Sequence, residues 1–218
     1  MNEQEHHTQR MEHLRQEQAR KIRMHQGQNK YARKGQIVMA GSSLMEGFPV
    51  TEMVLPYNLP LIVYNRGIAG DTTDGQLARM DSTFWDLQPS RVFINIGTND
   101  ISAPDYTREK LLSNYRKILT QLKERLPQAK VWLLAYYPVN RGPQFRTEHF
   151  RARTNAELEA VNQELEKLAA EFAYGFIDVF HPLLDQEGNL PAEVTMDGMH
   201  MYPEGYKPVL DILLPYLR

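Results

Sequence analysis

The chain has 218 residues, a formal net charge of −2, 42% hydrophobic and 24% charged residues, and no cysteine. That length and balance fit one globular domain with a real core. The missing cysteine excludes disulfides, thiolate metal sites and a cysteine nucleophile, and the near-neutral charge supplies no field for nucleic acid or an anionic membrane.

Residues 1–34 are polar, proline-free and rich in Gln, Glu, Arg and His. Good helix formers dominate, and Met11, Leu14, Ile22 and Met24 make a thin apolar stripe. The segment reads as a helical arm before a domain at 35–218, packed along that domain or on the second subunit of a homodimer. His6, His7 and His13 resemble a metal tract only in composition and are read as a solvated helix surface. The opening residues carry no apolar stretch of the kind a secretory signal needs, and no apolar run approaches the roughly 20 residues that span a bilayer. A cytoplasmic protein with no membrane span is expected.

From residue 36 onward short apolar runs alternate with longer amphipathic ones. Strands are expected at 36–41 (QIVMAG), 61–66 (LIVYNR), 91–97 (RVFINIG), 130–137 (KVWLLAYY) and 174–180 (YGFIDVF). They are near-continuously apolar, as strands covered on both faces are. Helices are expected at about 74–87, 107–126, 152–173 and 204–217, with Thr107 as an N-cap and Pro127 as a stop. Such alternation predicts a parallel sheet with right-handed crossovers and helices on both faces. Residues 138–150 are the one long irregular stretch and are placed at the rim of a site.

Ligands of open α/β sheets bind beyond the carboxyl ends of the strands. The segments there are Gly41-Ser42-Ser43-Leu44, NRGIAGDTT at 65–73, Gly97-Thr98-Asn99-Asp100 and DGMHMYPEGY at 197–206. A serine hydroxyl becomes a nucleophile when a base takes its proton, and a carboxylate can hold that base in the right tautomer. Ser42 and Ser43 are both candidates for the nucleophile, and register with the Gly41 turn favours Ser43. His200 is the candidate base and Asp197, three residues earlier, its orienter. Candidate oxyanion donors are the backbone N–H of Ser43, the N–H of Gly70 and the side-chain amide of Asn99. Gly41 is expected to bend the chain, and Gly70 to let the backbone approach a substrate closely.

Taken together, GSSL, GIAGDTT, GTND and DGMHMYPEGY resemble the SGNH hydrolases, the GDSL-type esterases and lipases, over residues 36–217. Ser43, Gly70, Asn99 and the pair Asp197 and His200 fall on that family's four blocks. Ser42 stands where the family usually has aspartate, a supporting rather than a reacting position. The chain is most similar to the branch that includes platelet-activating-factor acetylhydrolases. The resemblance implies a three-layer αβα, flavodoxin-like fold with five parallel strands. It also implies a serine esterase acting on short-chain acyl esters, acetyl esters foremost, with no metal and no organic cofactor. Its alternatives are a carbohydrate O-acetylesterase or a lysophospholipase of the same family, and a non-catalytic flavin- or nucleotide-binding module on the same fold. Asp71 and Asp100 are expected to tie loops. Asp178 and His181 are expected at the surface, and Trp85, Trp132, Tyr136 and Tyr137 in the core or the pocket wall.

Overall fold

A computed structural model describes residues 3–218, with side chains described from Thr8 onward. His6 and His7 therefore lie outside the residues whose side chains are described, and among the described residues no group of acidic or histidine side chains is arranged to hold a metal ion. The strands are β1 (Ile37–Gly41), β2 (Val63–Gly67), β3 (Arg91–Asn95), β4 (Lys130–Leu134) and β5 (Gly175–Ile177). They form one parallel sheet in the order β2-β1-β3-β4-β5. Every residue of β1 is buried, which is why its sequence is apolar without alternation.

The helices are α1 (Glu3–Asn29), α2 (Ser43–Glu46), α3 (Val50–Met53), α4 (Thr73–Ala78), α5 (Thr98–Ile101), α6 (Arg108–Arg125), α7 (Asn155–Glu171) and α8 (Pro203–Leu217). Right-handed crossovers fix their faces. The connections β2 to β3, β3 to β4 and β4 to β5 all run in one direction, so α4, α6 and α7 share a face, and they touch one another in that order. The β1 to β2 connection runs the other way and puts α3 on the opposite face, where it meets α8. On α6 the buried residues Leu111, Tyr115, Ile118, Leu119 and Leu122 recur at helical spacing, and the Thr107 hydroxyl caps the start by accepting from Lys110 N–H at 3.2 Å. The stretch expected as one helix over 74–87 is instead α4 followed by a π-helical turn, Asp81–Trp85, against which α1 packs. Tyr136, Tyr137 and Trp85 are buried in the core, and Trp132 stacks on Phe93 at 5.0 Å.

The strand order reverses between β1 and β3. In open sheets the ligand crevice lies at that switch point, and the chain leaves β1 there through Ser42-Ser43 and β3 through Gly97-Thr98-Asn99. β1 ends at Gly41 and α2 starts at Ser43, and since the φ of Gly41 is not positive, it is close approach rather than backbone conformation that requires a glycine there. A Cβ on Gly41 would lie 2.3 Å from the carbonyl oxygen of Asn95, and one on Gly67, its partner across the ladder, 2.2 Å from the Glu46 nitrogen. The two glycines let the first turn of α2 settle directly onto the strand ends.

α1 lies along the domain, with only part of the stripe read from the sequence facing it: Leu14 meets the Gly70 turn and Ile22 is half-buried. Met11 and Met24 are exposed, while His25 and Asn29 are buried. The contacts are largely polar: Asn29 donates to Ser82 O (2.8 Å) and accepts from the Arg66 guanidinium (2.9 Å), Gln18 donates to Ala69 O (3.0 Å), and Lys21 pairs with Glu46 (2.7 Å).

Candidate active site

Ser43 is the first residue of α2, and its Oγ lies 2.9 Å from Nε2 of His200. The neighbouring hydroxyl of Ser42 is buried and has no partner among the described residues. On the far side of the imidazole, Nδ1 of His200 is 2.7 Å from Oδ2 of Asp197. Oδ1 of Asp197 accepts from the N–H groups of Met199 (3.1 Å) and His200 (2.8 Å), so the carboxylate is fixed by its own turn before it meets the ring. Burial pushes this carboxyl up, but the hydrogen bonds from the His200 ring and backbone outweigh it and hold it below the usual range.

The turn carrying His200 is pinned. Thr195 bridges to Met201, its hydroxyl donates to His200 O at 2.9 Å, and its Oγ1 accepts from Gly198 N–H at 3.0 Å. Gly198 has φ +90, and a Cβ there would sit 2.2 Å from the Asn140 carbonyl. Of residues 138–150, Asn140 meets this turn directly, its N–H donating to Gly198 O at 2.8 Å.

Gly70 and Asn99 come together through Asp71. The Asn99 amide donates to Asp71 O at 2.8 Å, and the Asp71 carboxylate accepts from Thr72 N–H (3.0 Å) and pairs with the buried Arg79 at 2.6 Å. Burial pushes the Asp71 carboxyl up against the pull of Arg79. Arg79 also donates to Arg66 O (2.8 Å) and Gly41 O (3.1 Å), stitching the ends of β1 and β2 to this loop. Asp100 accepts from the Thr73 N–H and hydroxyl and joins the start of α4 to α5. Gly70 has φ +72, where glycine is favoured, and the position of its absent Cβ faces the Leu14 methyls of α1 at 2.9 Å rather than the crevice. No described hydrogen bond uses the Gly70 N–H.

A serine, an imidazole and a carboxylate in series, with unpaired donors nearby, can take a proton from a hydroxyl and hold a charge that develops on oxygen. Residues 40–207 match the GDSL-like Lipase/Acylhydrolase family. The chain belongs to this family. It is therefore a GDSL-type (SGNH) hydrolase, and its five-stranded parallel sheet between helical layers is that family's three-layer fold. Among curated proteins it is similar to the platelet-activating factor acetylhydrolase IB subunit alpha1 of Bos taurus, 27% identical over 175 residues, covering 80% of this chain and 71% of that protein. A solved structure from Streptococcus pneumonia, whose name refers to platelet activating factor, is 27% identical, covers 100% of both chains and superposes with a TM-score of 0.91. A catalytic mutant of an acetylxylan esterase from Geobacillus stearothermophilus is 16% identical with a TM-score of 0.67 over 85% of this chain and 95% of its own, which shows the shared fold alone. Among the described residues no helix is long and apolar enough to cross a membrane.

Sequence reasoning missed Arg79 and Arg153. Both are buried arginines whose partners lie on other elements. Their neighbourhoods, QLARM and FRARTN, carry no local signal of that role.

Proposed function

We propose that this GDSL hydrolase is a serine esterase that cleaves short-chain acyl esters, acetyl esters foremost, through an acyl-enzyme on Ser43. His200 takes the hydroxyl proton as Oγ bonds to the ester carbonyl carbon, and Asp197 holds the ring and balances the imidazolium. The N–H groups of Ser43 and Gly70 and the amide of Asn99 receive the oxyanion. Collapse of the adduct breaks the ester C–O bond, and His200 returns the proton to the leaving alcohol. Water repeats the sequence on the acyl-enzyme and frees Ser43. The observation that carries this reading is the 2.9 Å Ser43–His200 contact in series with the 2.7 Å His200–Asp197 contact.

The short acyl group is supported by the rim and by the relative. Residues 138–150 are polar, Arg141 and Arg146 are exposed, and the stretch supplies no long apolar trench of the kind a fatty chain requires. The bovine relative's name contains acetylhydrolase. The test is kcat/KM across p-nitrophenyl esters of increasing chain length, with a fluorophosphonate probe located by peptide mass spectrometry. The rate constant is expected to be highest from acetyl to butyryl, with one label on Ser43. A maximum at long chains, or a label on Ser42, overturns the corresponding half of the reading.

A further inference from the structure

Arg153 lies between the 3-10 turn Glu148–Phe150 and α7, in a segment bent by Arg151, whose φ of 52 is in the left-handed region. Its own N–H donates to Phe150 O at 2.8 Å, and its side chain turns inward until the residue is 2% exposed. The guanidinium donates through Nε (2.9 Å) and Nη2 (2.5 Å) to Thr98 O, through Nη2 to Oδ1 of Asn99 at 3.0 Å, and through Nη1 to the sulfur of Met199. None of these acceptors is a carboxylate. Arg79, equally buried, has Asp71. A buried charge without a counter-ion is costly, and packing alone would be served by an apolar side chain. Burial lowers the Arg153 pKa to about 10, opposed by Tyr136 and by the Asp197 and Asp100 carboxylates, so the group is a cation at neutral pH.

Its contacts fall on the two segments that carry the candidate machinery, Thr98-Asn99 after β3 and Met199 beside His200. Arginine has donors and no acceptor, so the Asn99 atom facing it must be the oxygen, and the NH2 group is thereby turned the other way. One of its two N–H bonds goes to Asp71 O and the other is left for a substrate. A positive charge on the amide oxygen draws electron density from the nitrogen and strengthens that second N–H as a donor.

We propose that Arg153 is a positioning residue for the oxyanion site, its charge orienting and polarising the Asn99 amide toward the oxygen that becomes negative in the transition state. This rests on the assignment of Asn99 as an oxyanion donor. The interaction grows as charge develops on the substrate oxygen, so its loss falls on kcat rather than on KM.

The test is a double-mutant cycle of Arg153→Met and Asn99→Ala, with p-nitrophenyl acetate as substrate and thermal melting to verify folding. Arg153→Met is expected to lower kcat by roughly 10- to 100-fold while KM changes less than about threefold, and Asn99→Ala to lower kcat by about 100-fold or more. In the Asn99→Ala background, Arg153→Met is expected to cost less than about a further threefold. If Asn99→Ala is costly and the two losses multiply, Arg153 acts elsewhere and the proposal falls while Asn99 keeps its role. If Asn99→Ala leaves kcat unchanged, the oxyanion assignment falls and the proposal with it. Should Arg153→Met not fold, Arg153→Lys and Arg153→Gln replace it in the same cycle. Lysine keeps the charge and is expected to retain at least about tenfold more kcat than glutamine; equal losses overturn the proposal.

Discussion

Replacing Gly67 by alanine tests how closely Ser43 depends on the fit of α2 against the sheet. Gly67 has no positive φ, so alanine brings no backbone strain and the effect is purely steric. The new Cβ would lie 2.2 Å from the Glu46 nitrogen, 2.7 Å from Glu46 Cα and 2.8 Å from Met45 C. All three are backbone atoms, so no rotamer change relieves the clash. Restoring a separation of 3.0 Å requires α2 to withdraw by about 0.8 Å. A shift of that size along the Ser43–His200 line stretches the 2.9 Å contact to about 3.7 Å, beyond hydrogen-bond reach. The expected outcome is a loss of about 1–3 kcal/mol in stability from overpacking and a fall in kcat on the order of 100-fold. Urea denaturation and p-nitrophenyl acetate turnover measure the two. A folded Gly67→Ala protein with wild-type kcat would refute the dependence of the serine's position on the glycine pair.

Ser43→Ala should stay folded and lose turnover by a factor on the order of 10⁴ or more, while Ser42→Ala keeps the fluorophosphonate label, read by mass spectrometry. His25 is held neutral, its pKa lowered to about 3 by burial first and then by Arg66, Arg79 and Lys21. Because the folded value is depressed, the unfolded chain binds the proton first, so stability is full above about 6.5 and falls with pH by up to about 1.4 kcal/mol per unit. His25→Gln should flatten the slope of folding free energy between pH 7 and 5, and an unchanged slope would place the titration elsewhere. The division into an arm at 1–34 and a domain at 35–218 is tested by starting the chain at Lys34, which removes the partners of Ala69 O, Glu46 and Arg66. A lower melting temperature and slower turnover are expected, and an unchanged protein would make the segment dispensable.

The parts legible in the sequence were those encoded locally or by pattern. Apolar runs at 36–41 and 91–97 marked strands because both sheet faces are covered, and the glycine and polar clusters after them marked the crevice. Local pattern alone does not separate the two D-x-x-H turns. Asp178 and His181 repeat the geometry of Asp197 and His200, with Nδ1 2.8 Å from the carboxylate and the carboxylate accepting from the histidine N–H. What differs is topology: His181 Nε2 faces Glu159, and His200 Nε2 faces Ser43. The closest constraint on Gly41, the Asn95 carbonyl of the neighbouring strand β3, was not legible because it lies more than fifty residues away in sequence. The stripe on α1 is only a partial guide for a related reason: Leu14 meets Gly70, but Gln18, Lys21 and Asn29 hold the helix through a backbone oxygen, Glu46, Ser82 and Arg66, partners that lie far away in sequence.

The family match begins at residue 40, after the whole of α1. Yet Leu14 and Gln18 back the Gly70 turn. Relatives can therefore agree at every motif position and still differ in how firmly that turn is held, because the brace is written in a stretch the motifs do not cover. A chimera that transplants residues 40–207 onto another leader would inherit the reacting groups without their support. Specificity transferred that way should come with a loss of rate that no residue of the crevice explains.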